Sequence, residues 1–168
     1  MPAEPILPKA QNVEEANAWL ALVDVLTNDE MLKDVVRMWR TWTGESDDSD
    51  PPAESQCPWI RLTPAPSQIT IQEVDAYRLA LAVQVETLIL GTNVVDNLNL
   101  WGLIRRAMQR SSVMFTGDNV AGYLRKNGCY FYQLVKPSVA IVGSVPGMDR
   151  PVKAIRSEGG ILLSLFVS

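Results

Sequence analysis

Residues 77–86, "YRLALAVQVE", alternate without a break. Tyr77, Leu79, Leu81, Val83 and Val85 fall on one side, and Arg78, Ala80, Ala82, Gln84 and Glu86 on the other. Side chains of a β-strand point to opposite faces in turn, so this period of two predicts a strand. At about 3.3 Å per residue the ten positions span about 33 Å. One face demands a core. The other, built of small and polar groups, is neither a second core nor a plain charged surface, and what covers it bears on what the chain does.

The chain has 168 residues, which fits one domain spanning 1–168, with an extended arm at 1–11 and an acidic loop at 44–56 expected to be mobile. A chain of this size buries enough surface to fold without staples. Its two cysteines, Cys57 and Cys129, imply no disulfide framework, and two reduced, packed thiols suit synthesis in a cytosol. The start, "MPAEPILPKA", has three prolines and no apolar core, unlike a signal peptide. No apolar run approaches the roughly 20 residues that span a bilayer. The net charge of −4 has one local source. Five of the 19 acids fall in "ESDDSDPPAES": Glu45, Asp47, Asp48, Asp50 and Glu54, which leaves 14 acids against 15 bases elsewhere. A near-neutral body lacks the strongly basic footprint of a free-standing DNA-binding protein.

A first helix is expected from Asn12, with Glu15 reaching back to the cap and Ala16, Trp19, Leu20, Val23 and Leu26 recurring at helical spacing. Residues 28–43 fit a helix through Met31, Val35, Met38 and Trp42, but the β-branched and aromatic load favours a strand from about Val35. Pro58 and Pro64 bracket a short strand, and a polar connection then leads to the long one. After Gly91 the period changes. Asn93 is a good N-cap, Asp96 suits the positive end of the helix dipole, and Leu98, Trp101, Ile104 and Met108 form an apolar stripe. Arg105, Arg106 and Arg110 occupy the last turns, where cations are favoured, and could also face a partner. "GDNVAGYLRKNG" suggests a short helix ending at Gly128, and "CYFYQLV" a strand. "PVKAIRS" and "GILLSLFV" on either side of "EGG" suggest a terminal hairpin. The expected fold class is α+β: a mixed, mainly antiparallel sheet with two main helices on one face.

Much familiar chemistry is missing. There is no histidine, the commonest general base and metal ligand. No phosphate-binding Gly-rich loop, dinucleotide fingerprint or zinc-spaced cysteine pair occurs. Asp47, Asp48 and Asp50 could hold a hard cation, but they lack the Gly and terminal Glu of a calcium loop, so a solvated acidic loop is the plainer reading. Gly91, Thr92 and Asn93 could hold an anion, with Glu86 or Asp96 as a base, although most such turns only cap their helix. Cys57 has no basic neighbour before Arg61 and reads as a small packed hydrophobe. No catalytic residue, metal or cofactor is assigned. Of the five tryptophans, core packing accounts for most, and one or two suit a subunit contact.

Three stretches carry a resemblance: "CPWIRLTPAP", "YRLALAVQVETLILGTNVVDNLNLW" and the closing "GILLSLFVS". Their order resembles the tail terminator proteins of long-tailed bacteriophages, with the first looking like a core strand, the second like the long strand entering the main helix, and the third like closing strands. The likeness covers about half of the chain and consists of fold patterns rather than chemistry. It implies a non-enzymatic virion protein of the tail and neck, made in the host cytoplasm. It also implies a homohexameric ring that stops growth of the tail tube protein and docks a head-completion or connector protein. DNA would pass the channel without specific binding, and the acidic loop would keep it from sticking. On this reading Arg78, Ala80, Ala82, Gln84 and Glu86 lie against a neighbouring subunit or the channel wall. Three alternatives stand beside it: another neck connector, a small enzyme or ligand-binding α/β domain, and an antitoxin-like or adaptor protein that binds a single partner through its sheet edge.

Overall fold

The alternating stretch becomes the middle of the longest strand in a computed structural model that describes residues 14–42, 53–64, 68–73, 76–109, 124, 129–143, 145 and 152–167. The elements run α1 (Glu14–Thr27), α2 (Glu30–Val35), β1 (Met38–Arg40), a 3-10 turn (Glu54–Gln56), β2 (Trp59–Pro64), β3 (Gln68–Glu73), β4 (Ala76–Leu90), α3 (Val94–Gln109), β5 (Cys129–Val142) and β6 (Ala154–Val167). The fold is α+β, as the sequence predicts. Among the described residues, six strands form one sheet in the order β1-β2-β4-β6-β5, with β3 also on β4. All pairs are antiparallel except β1 with β2.

β4 organises the sheet. One edge pairs with β6 from Tyr77↔Val167 to Leu90↔Ala154. The other edge is shared, taking β2 opposite residues 83–88 and β3 opposite residues 76–80. β2 and β3 thus act as two segments of one arm of a hairpin with β4. The polar connection expected before the long strand is therefore partly strand. Its "QITIQE" alternates, but its glutamines and glutamate mask the pattern.

Directly paired residues point to the same side of a sheet. The front face carries Ile60 and Leu62 from β2, Leu81, Val83 and Val85 from β4, and Ile161, Leu163 and Leu165 from β6. The helices cover it with Leu22, Val25 and Leu26 of α1, Leu32 of α2, and Leu100, Ile104 and Met108 of α3. Leu124 and Cys129 join the same core.

Local signals explain the helix ends. The Asp29 carboxylate accepts hydrogen bonds from Met31 N and Leu32 N at 3.1 Å each, which starts α2. α2 stops at Val35 because Val36 turns extended (φ −83°, ψ 120°) and feeds β1. The ambiguous 28–43 region is thus a short helix followed by a short strand, and the strand begins at Met38 rather than at Val35. Gly91 has φ of +96°, a conformation that glycine adopts without a Cβ penalty, and it turns the chain from β4 into α3. Asn93 Oδ1 accepts from Val95 N at 3.0 Å and caps α3 as expected. The cap expected at Asn12 lies outside the described residues, as do nearly all of the suggested helix before Gly128 and the arm at 1–11.

Three expectations need correction. The last two segments form no hairpin, because β6 is one strand of 14 residues running straight through Gly159 and Gly160. The glycines pair with Val85 and Gln84 inside the ladder, so they are strand interior rather than turn. In α1, Trp19, Val23 and Leu26 are buried as expected, but Leu20 is exposed, and Ala18, Ala21, Leu22 and Val25 widen the buried stripe. In α3, Leu98 is 63% exposed and its neighbour Asn97 is 1% exposed.

Candidate interaction face of the sheet

The back of the sheet, away from the helices, has two parts. Toward the C-terminal end of β4 it is closed. Trp59 and Leu88 are partners in the β2–β4 ladder, and Cys57, Val145 and Ala154 complete a second apolar cluster with Met38 and Leu90 at its margin. Toward the N-terminal end, among the described side chains, it is open: Ala82 and Gln84 are exposed, and Ala80, Leu162 and Ser164 are half-buried.

Between the two parts lies an ion cluster on three strands. Arg61 and Glu86 are direct partners in the β2–β4 ladder. Arg61 Nε donates to Glu86 Oε2 at 2.7 Å, and its Nη2 bonds the same oxygen. Arg156 of β6 donates to Glu86 Oε1. Arg156 Nε also lies 3.6 Å from Glu158 Oε1. The Arg61 guanidinium sits over the Trp59 ring, 5.1 Å from its centroid, which ties the ion cluster to the apolar one. Both Glu86 oxygens are engaged, and its side chain is only 4% exposed.

The residues singled out from the sequence fall as follows. Ala82 and Gln84 face outward on the open part, with Ala80 beside them. Arg78 is in β4 opposite Phe166 and Ile71. Glu86 does not belong to an exposed polar rim, because two arginines hold it beneath the surface. The same engagement removes it as a free general base. Glu45, Asp47, Asp48, Asp50 and Arg110 lie outside the described residues. Of the segment 44–56, the described end is ordered by Ala53 N donating to Gln56 Oε1 at 2.8 Å. Arg105 and Arg106 are exposed on α3, and Arg105 Nη1 donates to Gln109 Oε1 at 3.1 Å. They sit apart from the ion cluster in the topology, on the helical side of the sheet.

Sequence reasoning missed Arg61 and Arg156. The signal available was Arg61 in a strand bracketed by prolines, but its partner in β4 requires the strand register. Cys57 is buried, and burial followed by the Glu54 charge pushes its thiol pKa up. That environment opposes thiolate formation and fits a packed hydrophobe. Trp19 and Trp59 are buried, Trp39 and Trp101 pack partly against the main core, and Trp42 is 46% exposed. Among the described residues, no group of three or more His, Cys, Asp or Glu could hold a metal ion. No described helix is long and apolar enough to cross a membrane.

With this geometry in view, a scan against protein-family models and a search of curated proteins both find no match to the chain.

Proposed function

We propose that this chain is a structural protein of the phage neck, a tail terminator that forms a ring on the end of the tail tube. The observation that carries the reading is the open part of the sheet's back, where Ala82 and Gln84 are exposed in the middle of a central strand. An antiparallel sheet can face water on one side, and a solvated face of this kind is also available to another chain. Small residues let that chain come close, and polar groups at the rim satisfy its hydrogen bonds. The likeness of the strand–turn–helix unit to tail terminators supplies the identity of that neighbour: the next subunit of a homohexamer, or the inner wall of its channel. The ring would stop polymerisation of the tail tube protein and present its other side to a head-completion or connector protein, with DNA passing through.

Electron microscopy of the purified protein, alone and mixed with assembled tail tubes of its own phage, tests this. The proposal expects six-membered rings or a disc on one tube end. Bare tube ends and a monomer in both samples would overturn it.

A further inference from the structure

Gly102 sits in the middle of α3, where helix propensity is against it. Only proline is a poorer helix former. Nothing inside the chain asks for a glycine there. A Cβ built at Gly102 meets no atom within 4 Å, and its backbone is not in the left-handed region. Val95, Leu98 and Arg105 share its flank, at seven and four residues before it and three after, with Val94 beside Leu98. Val94, Val95 and Leu98 are 44%, 57% and 63% exposed, and Leu98 is the most exposed large apolar side chain among the described residues. The buried stripe of Asn97, Leu100, Ile104, Ala107 and Met108 lies round the helix from them. The flank thus carries a knob, Leu98, and a dent, Gly102, about one turn apart.

We infer that α3 packs antiparallel against the α3 of a second copy of this chain, each Leu98 seated on the other's Gly102. A two-fold interface must present the same surface twice. A knob and a dent at equal distances from residue 100 meet that demand, because an axis there brings both leucines onto both glycines at once. A foreign helix would need the same two features at the same spacing, and a second copy has them by construction. The missing side chain at Gly102 lets the helix axes approach closely. Charge permits the pairing. In this register the two Arg105 groups lie ten residues apart along the axis, about 15 Å, which exceeds the Debye length of about 8 Å at physiological ionic strength. Each Arg105 stem lies over the other copy's Val95. Three turns of helix offer less than the roughly 1,200 Å² of a stable interface, so the pairing is weak and concentration-dependent. It uses the helical side of the sheet, and it does not rest on the proposed function, which uses the back.

Sedimentation equilibrium of the full chain, from about 10 μM to about 1 mM, tests this. The wild type should pass from monomer to dimer across that range. Leu98→Ala removes the knob and Gly102→Leu fills the dent, so each should weaken pairing about tenfold or more. Neither should lower the melting temperature of the dilute protein, because both positions face outward. The exchange variant Leu98→Gly, Gly102→Leu keeps the composition and restores a knob and a dent about the same axis, so it should recover most of the pairing. A wild type that stays monomeric at the top concentration would overturn the inference. So would pairing that the single variants leave unchanged, or an exchange variant no better than they are. Capping of tail tubes reads the other side of the sheet, so each idea can fail alone.

Discussion

The two halves of β4 share one backbone and differ in what covers them. From Leu81 to Val85 the burial alternates, with Leu81, Val83 and Val85 in the core and Ala82 and Gln84 in water. From Glu86 to Ile89 every residue is buried. Helices cover the front of both halves, but only the second also has its back covered, by the Arg61–Glu86–Arg156 cluster and the Trp59–Leu88 contact. Period two thus marks where a sheet has one buried side, and its loss marks where it has two.

That difference can be broken from either half. The largest effect belongs to Glu86→Ala. It leaves two partly buried guanidinium groups without their shared acceptor, and the expected loss lies at the low end of the roughly 3–5 kcal/mol of a fully buried pair, because Arg156 is half-exposed. Chemical denaturation would read it, and a loss under 1 kcal/mol would show that the cluster holds little of the back face. Leu88→Ala comes next. It opens a hole in the second apolar cluster and should cost about 2–4 kcal/mol in the same assay.

A smaller contribution comes from Cys57. Its folded-state pKa is raised, so the neutral thiol is favoured by folding. The stabilising contribution is complete below the unfolded thiol's pKa and disappears as pH rises through the folded value. Stability should therefore decline above about pH 8.5 in the wild type, and less so in Cys57→Ala, when thermal melts are compared across that range. The smallest effect belongs to the open half. Gln84→Lys should change stability by no more than about 0.5 kcal/mol, because the side chain is already in water. A large loss there would mean that the open part is covered within the monomer.

How far the sequence reaches follows the same division. The first half of β4, the Gly91 turn and the Asn93 cap were legible because each is set by neighbours a few residues away. Glu86 was misplaced because its partners, Arg61 and Arg156, are 25 and 70 residues distant and meet it only through strand register. The terminal strand was misread for a related reason. Gly159 and Gly160 signal a turn locally, but opposite Val85 and Gln84 they complete a ladder whose other positions are strongly paired. Leu98 was placed in the core by its helical spacing. Asn97 is buried there instead, where its Oδ1 accepts from Ser157 Oγ, a contact invisible to any periodicity of α3.

The central proposal is that the open half of β4 receives another protein chain, which on the proposed function belongs to a phage neck. The most direct measurement compares wild-type protein with the double variant Ala82→Arg, Gln84→Arg on assembled tail tubes by electron microscopy, after confirming that both melt alike. The account predicts discs on tube ends with the wild type and bare ends with the variant. Equal capping by both, or none by the wild type, would contradict it.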